Sequence, residues 1–172
     1  AGLTMDEFKN TVARADEISL EERQKLIESG EYTPSYMWNV NGWLCDKLGL
    51  TVVSQTQKCV PQTYSEDIHS STLGMNVEKG KATGMSAIVT TTTKEGILIE
   101  TECIGKVYGP DEFDSNRWTV YGNPETKLVI DRPNTVELTC ASVVNRIYDV
   151  LVSESGFIPT SRMGELKYHV KH

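Results

Sequence analysis

The chain has 172 residues, of which 38% are hydrophobic and 24% charged, a composition typical of an ordinary globular protein. Its formal net charge of −7 argues against a non-specific nucleic-acid binder, which needs a basic surface to neutralise phosphates, and against adsorption to anionic membranes. No apolar run approaches the ~18 residues of a transmembrane helix. We therefore predict one cytoplasmic domain over residues 1–172 that binds neither nucleic acid nor membrane.

Residues 1–50 carry helical signals. Residues 4–7 (TMDE) and 19–22 (SLEE) both have the pattern of a capping box, and Gly30 is a fitting stop for the second helix. A third helix is predicted over residues 34–48, with Gly49 directly after it. This helix carries Trp38, for which core packing is the ordinary interpretation.

After Gly49 the hydrophobic pattern changes to the alternation of β-strands. Strands are predicted over residues 50–60, 83–93 and 97–108, the last two joined as a hairpin by the loop Lys94-Glu95-Gly96. This register places Ala87 opposite Cys103 and Thr91 opposite Ile99. Two shorter strands, 117–121 and 126–131, precede a helix that starts near residue 134 and runs through Leu151.

The order of these elements predicts an α+β fold rather than a βαβ fold. We expect an antiparallel or mixed sheet of about four to six strands, covered on one face by helices, with N-terminal helices and a long C-terminal helix. The other face, which is rich in Thr and Ser and includes Ile88 and Thr90, would then stay open. Pairing of identical faces about a two-fold axis would bury it, so we predict a homo-oligomer formed through the sheet.

The four cysteines are widely and irregularly spaced, and none forms a C-x-x-C pair. An even number permits disulfides, but the spacing favours free thiols that are largely buried. The three histidines do not form a metal-binding pattern with them, so no metal site is predicted. The cysteines are Cys45, Cys59, Cys103 and Cys140.

Familiar catalytic motifs are absent from the sequence. It contains no G-x-G-x-x-G, P-loop, H-E-x-x-H or G-x-S-x-G pattern. Glu100 and Glu102 share one strand face and could form an acid–base couple, although an exposed sheet face or oligomer face is the ordinary interpretation. The residues alone therefore assign no catalytic side chain.

The C-terminal third resembles a known family. Residues 135–147 (TVELTCASVVNRI), followed by Gly156-Phe157, resemble the T-x-A-x-V-V-N-x-I-P run and P-G-[LF] element of dehydrogenases related to dihydrodipicolinate reductase, in particular 2,4-diaminopentanoate dehydrogenase. Tyr148 stands where that family has Pro, and residues 32–41 depart from its G-H-x-G-L segment. Further segments that match in order lie at residues 1–8, 48–50, 80–84 and 122–124.

In that family a dinucleotide-binding domain precedes this region. The resemblance implies the C-terminal substrate and oligomerisation domain of an NAD(P)-dependent amino-acid dehydrogenase or reductase, without the Rossmann domain. The full-length parent enzyme would bind NAD or NADP and would act on an amino-acid-like substrate. The chain alone would bind no cofactor and would be inactive. The absence of an initiator Met agrees with N-terminal processing or with a segment of a longer protein. The alternative is a stand-alone ligand-binding or assembly module without catalysis.

Four residues form the candidate site. Thr139 and Asn145 match the family motif, and the resemblance implies that they lie near the cleft between the two domains. Trp38 and Asn41, on the third predicted helix, complete the set. Thr139 and Asn145 also have purely structural interpretations. The hydroxyl of Thr139 could donate to a backbone carbonyl one turn back, and Asn145 could brace its helix.

Overall fold

A computed structural model describes residues 35–71 and 74–167, together with residues 21, 25, 26 and 28–31. The chain divides into two compact units, Ala1–Gly109 and Pro110–His172. The predicted helix start at residues 4–7 and most of the one at 19–22 lie outside the described residues. The elements are α1 (Tyr36–Leu48), β1 (Val52–Thr63), β2 (Ile68–Ser70), β3 (Met75–Val77), β4 (Ala82–Thr93), β5 (Leu98–Lys106), β6 (Ser115–Val120), β7 (Thr126–Asp131) and α2 (Thr135–Leu151).

Helix α1 confirms the third predicted helix to within two residues at its start. It ends at Gly49, whose φ of 67° lies in the left-handed region that glycine adopts without a Cβ clash. The amide of Leu50 then donates to the carbonyl of Cys45 at 2.8 Å, which satisfies one of the last carbonyls of the helix.

The largest sheet has the order β1-β4-β5, and both strand pairs are antiparallel. The β4–β5 hairpin has the predicted register, with Ala87 opposite Cys103 and Thr91 opposite Ile99. Its turn contains Gly96 at a φ of 80°. Strand β4 is the central strand, so its two neighbours shield it and many of its side chains are buried.

The two faces of this sheet differ because strand side chains alternate in direction. Helix α1 packs on one face. We call the opposite side the threonine face and describe it as four rows that each run from β1 across β4 to β5. The rows are Val60-Ser86-Ile104, Lys58-Ile88-Glu102, Thr56-Thr90-Glu100 and Ser54-Thr92-Leu98.

Unit 2 contains the β6–β7 hairpin and α2. The side chain of Asn134 accepts a hydrogen bond from the amide of Glu137 at 3.1 Å and so caps the start of α2. None of the residues of α2 is buried, and its apolar side chains, Leu138 and Ile147 among them, stay exposed.

The predicted fold class is wrong. Strand is the dominant structure of the described residues, and it is divided among sheets of three, two and two strands instead of one sheet of four to six. Helix α1 packs on the three-stranded sheet, but the expected layer of several helices over a single sheet was not found in the described part of the chain. The long C-terminal helix was not found either, since α2 has only 17 residues and none of them is buried. Alternation identifies a strand but not its partner. Among the described residues β2 pairs with β3 and β6 pairs with β7, each as a separate two-stranded sheet.

Within the described part of the chain, no helix combines the length and the hydropathy needed to cross a bilayer.

Candidate functional site

Asn41 is the most densely bonded side chain between α1 and the sheet. It is fully buried, and its amide nitrogen donates to the carbonyl of Val89 at 3.2 Å and to the hydroxyl of Thr91 at 3.0 Å. A third contact reaches the carbonyl of Ile99 at 3.4 Å. The hydroxyl of Thr101 donates to Asn41 Oδ1 at 2.8 Å. Both polar atoms of the amide are therefore used within the chain.

A second group of polar contacts lies at the start of α1. The amide of Ser35 donates to Gln57 Oε1 at 2.7 Å, and Gln57 is itself buried. Gln55 Nε2 donates to the carbonyl of Trp38 at 2.8 Å, so β1 holds the first turn of the helix at two points. The hydroxyl of Ser35 is buried and has no hydrogen-bond partner among the described residues.

Tyr36 and Cys103 form a hydrogen-bonded pair across α1 and β5, with the phenol oxygen in contact with the sulfur. This contact, together with partial burial and the nearby thiol, raises the pKa of Tyr36 to about 12. The phenol therefore keeps its proton at neutral pH, and it can donate a hydrogen bond but cannot act as a base.

These contacts define what we call the α1–sheet layer, made of hydroxyl, amide and thiol groups. Such groups can orient a neutral polar molecule, but they supply no carboxylate, imidazole or amine for acid–base chemistry. Nor does the described part of the chain hold a group of three or more His, Cys, Asp or Glu side chains that could ligate a metal. The layer consists of Ser35, Tyr36, Asn41, Gln57, Thr91, Thr101 and Cys103.

Trp38 and Asn41 lie on α1 in unit 1. Trp38 is half-buried, and its carbonyl accepts the bond from Gln55. Asn41 braces α1 against two strands, as described above. The structure brings both residues to the helix–sheet interface, and their predicted contact with a ligand stays a prediction.

Thr139 and Asn145 lie on α2 in unit 2. The hydroxyl of Thr139 donates to the carbonyl of Thr135 at 2.7 Å, which is the back-bonding alternative foreseen from the sequence. Asn145 is half-buried and lies about 120° around the helix from Thr139, because six residues span one and two-thirds turns. The two side chains therefore do not share one face of α2.

Sequence reasoning missed Tyr36, Gln57 and Ser35 as partners in one layer. The signal for Cys103 was present, since the predicted hairpin register already placed it on the same face as Ala87. The missing information was the position of α1 over that face, because residues 67 positions apart in the chain meet there.

Comparison with known proteins finds similar solved structures. The chain is similar to a solved amine dehydrogenase from Mycobacterium smegmatis, with 32% sequence identity and a TM-score of 0.73 over 96% of this chain. It spans 50% of the length of that dehydrogenase. No protein-family model and no curated protein matches the chain. The fold is therefore related to that of a dehydrogenase.

Proposed function

We propose that this chain is the substrate-binding and oligomerisation domain of an NAD(P)-dependent amino-acid or amine dehydrogenase of the dihydrodipicolinate reductase-like group. The nicotinamide cofactor would be held by a separate dinucleotide-binding domain. The chain would contribute substrate contacts and an assembly surface, while the hydride chemistry belongs to the cofactor.

The observation that carries the proposal is how much of each chain the structural match includes: 96% of this chain and 50% of the amine dehydrogenase. Almost the whole chain is similar to half of an amine dehydrogenase. The sequence identity of 32% is higher than that of many proteins that share only a fold. A domain that matches half of an oxidoreductase, and whose sequence has no G-x-G-x-x-G fingerprint, is best explained as the half that does not bind the dinucleotide.

Unit 2 supports the same proposal. Helix α2 carries the sequence that resembles the dehydrogenase motif, and its exposed apolar side chains include Val143 and Ile147. Exposed apolar patches on a soluble domain mark surfaces that work against another surface or a ligand. Thr139 and Asn145 lie on this helix, which makes them the substrate-contact candidates to test first.

The first experiment titrates the 172-residue chain with NADH and NADPH and follows cofactor fluorescence. We expect no saturable binding in the micromolar range, because the chain has no glycine-rich turn at a helix start to hold a pyrophosphate. The polypeptide encoded by the complete parent reading frame is assayed beside it for reduction of NAD⁺ and NADP⁺ with a panel of amines and amino acids, including 2,4-diaminopentanoate. Activity of the longer polypeptide alone is the expected result.

A matched pair of variants tests the substrate contact. Thr139 and Ser142 both donate a hydroxyl to the carbonyl four residues back on α2, so Thr139→Val and Ser142→Ala remove equivalent bonds. The proposal expects Thr139→Val in the longer polypeptide to raise KM about tenfold or more, whereas Ser142→Ala leaves it unchanged. Tight cofactor binding by the short chain, or a longer polypeptide without dehydrogenase activity on the panel, would overturn the proposal in favour of a stand-alone module.

A further inference from the structure

Arg132 has an unusual backbone conformation at the junction between β7 and α2. Its φ of 51° lies in the left-handed region, and no other non-glycine residue in the described part of the chain has a positive φ. This region is disfavoured for a residue with a side chain, because its Cβ comes too close to a carbonyl oxygen. The amide of Arg132 donates to the carbonyl of Asp114 at 2.9 Å, so a backbone contact holds the conformation. Strained residues of this kind cluster where a side chain is kept in one position for a ligand.

The guanidinium of Arg132 is held in position but is not neutralised. Its central carbon lies 4.3 Å from the centre of the Phe113 ring, within the range of a cation–π contact. Arg132 is exposed, and it makes no ion pair with any of the described residues. A guanidinium that stacks through its face keeps the N–H groups along its edge available, and these groups match the two oxygens of a carboxylate.

A short series of contacts connects Arg132 to the candidate substrate residue on α2. The hydroxyl of Thr135 donates to Asp114 Oδ2 at 3.3 Å, and the hydroxyl of Thr139 donates to the carbonyl of Thr135 at 2.7 Å. Asp114 also accepts the amide of Arg132, as described above. The arginine and Thr139 are therefore anchored to the same first turn of α2.

We infer that Arg132 binds the carboxylate of an amino-acid substrate. The inference rests on the proposed function and specifies the substrate class of the same site. The substrate carries a carboxylate in addition to its amino group, which separates it from a simple amine. Planar, two-point recognition of a carboxylate is the interaction for which a fixed guanidinium is best suited.

The charges around Arg132 favour an amino acid over the phosphate group of a cofactor. Asp131 directly precedes the arginine, Asp114 is bonded to its backbone, and Glu137 lies in the first turn of α2. Three carboxylates repel a doubly charged phosphate, whereas they attract the ammonium group of an amino acid. A molecule with both charges therefore fits this surface better than a dianion.

The test is isothermal titration calorimetry on the polypeptide of the complete parent reading frame. Two pairs of probes are used, 2,4-diaminopentanoate with 1,3-diaminobutane and L-lysine with 1,5-diaminopentane, in which the amine lacks only the carboxyl group of the amino acid. Arg132→Gly should weaken binding of the amino acid about tenfold or more, because a charge-assisted pair of hydrogen bonds is lost. Binding of the matching amine should change less than about twofold.

Two further variants separate the role of the guanidinium from other effects. Arg132→Lys keeps the charge but not the planar pair of donors, so it should give an intermediate loss. Arg117→Ala removes another exposed arginine, on β6, and should leave binding of both probes unchanged. Circular dichroism checks the fold of each variant, and we expect Arg132→Gly to be folded because glycine adopts this φ without strain.

Inorganic phosphate is the third probe. If Arg132→Gly loses phosphate but keeps the amino acids, the arginine serves a phosphate group and the inference is overturned. Equal losses of amino acid and amine, or a wild type that binds neither amino acid, overturn it as well. The activity assays judge the proposed function separately. A polypeptide that binds amino acids through Arg132 but reduces neither NAD⁺ nor NADP⁺ retains the carboxylate site and overturns the dehydrogenase assignment, whereas one that oxidises only simple amines does the reverse.

Discussion

Asn41 on α1 and Thr101 on β5 are joined by a hydrogen bond of 2.8 Å, in which the threonine hydroxyl donates to the amide oxygen. The same amide donates to Val89 and Thr91 on β4, so one buried side chain ties the helix to two strands. The helix is otherwise incompletely covered, since Trp43 is 41% exposed. The position of α1 over the sheet therefore depends on a polar contact as well as on apolar burial.

Asn41→Leu should lower the free energy of unfolding by about 2–4 kcal/mol. Leucine has a similar volume but leaves the hydroxyls of Thr91 and Thr101 without their buried partner, and unsatisfied buried groups carry most of the cost. Urea unfolding followed by circular dichroism measures the change. Asn39→Leu, at an exposed position of the same helix, is the control and should change stability by less than about 0.5 kcal/mol. Equal losses in the two variants would contradict the assignment of Asn41 as the tie between helix and sheet.

Gly84 lies where β4 and β5 approach each other closely. A Cβ at this position would lie 2.1 Å from the carbonyl oxygen of Gly105 and 2.4 Å from the Cα of Lys106. Both are backbone atoms, so the strands must separate to accept it. We expect Gly84→Ala to destabilise the chain by about 2–3 kcal/mol.

Gly105→Ala provides the matched control for this prediction. Its Cβ would meet only the carbonyl oxygen of Met85, at 4.0 Å, which is an ordinary contact. Thermal unfolding of the two alanine variants should therefore differ, with the midpoint of Gly84→Ala several degrees below that of Gly105→Ala. Coincident midpoints would mean that the two strands do not approach as described.

The four cysteines are free, as the sequence predicted, but their predicted burial holds fully only for Cys45. Cys140 is exposed because it lies on α2, where no residue is buried. Cys59 and Cys103 both lie opposite Ala87, on either side of β4, so their Cα atoms are two strand spacings or about 10 Å apart. That separation is too large for a disulfide.

A thiol reagent should accordingly detect four thiols in denaturant without reductant. In the native chain Cys140 should react first and Cys45 last, because burial and the nearby Glu95 raise the pKa of the Cys45 thiol and so reduce its thiolate fraction. Cys140→Ser should remove the fast phase, and Cys45→Ser the slowest. Fewer than four thiols in denaturant, or a fast phase that survives Cys140→Ser, would contradict this order.

The sequence predicted local structure better than assembly. The predictions that succeeded depend on a few neighbouring residues. A glycine that adopts the left-handed conformation marks the helix end at Gly49 and the hairpin turn at Gly96, and the short loop fixes the register of Ala87 with Cys103. The pairing of β1 with β4 could not be predicted in the same way. The two strands are separated by the β2–β3 hairpin, and alternation in a strand does not identify its partner.

In the candidate site too, contacts within one element were predicted and contacts between distant elements were not. The back-bonding of Thr139 was foreseen, because a hydroxyl on a helix has a carbonyl four residues back within reach. The contacts of Asn41 were not foreseen, since they join residues about 50 to 60 positions apart and depend on how the helix lies on the sheet. Such a contact is determined by packing and leaves no local pattern in the sequence.

The pairing of Tyr36 with Cys103 makes a prediction about alkaline pH. The contact holds the pKa of Tyr36 at about 12, against about 10 for an ordinary tyrosine. Between these values the folded chain keeps a proton that the unfolded chain loses, so this pair contributes stability below pH 10 that is lost as the pH rises toward 12. Tyr36 is 60% exposed, which makes that contribution small, and the absorbance of the phenolate is the better readout.

At about pH 11 the wild type and Tyr36→Phe should have nearly the same phenolate absorbance, because Tyr36 is still protonated. In a Cys103→Ala background the pKa of Tyr36 should fall toward its ordinary value, so that Tyr36→Phe then removes the absorbance of one phenolate at about pH 11. If Tyr36→Phe already removes that absorbance while Cys103 is present, the thiol does not hold the proton on Tyr36.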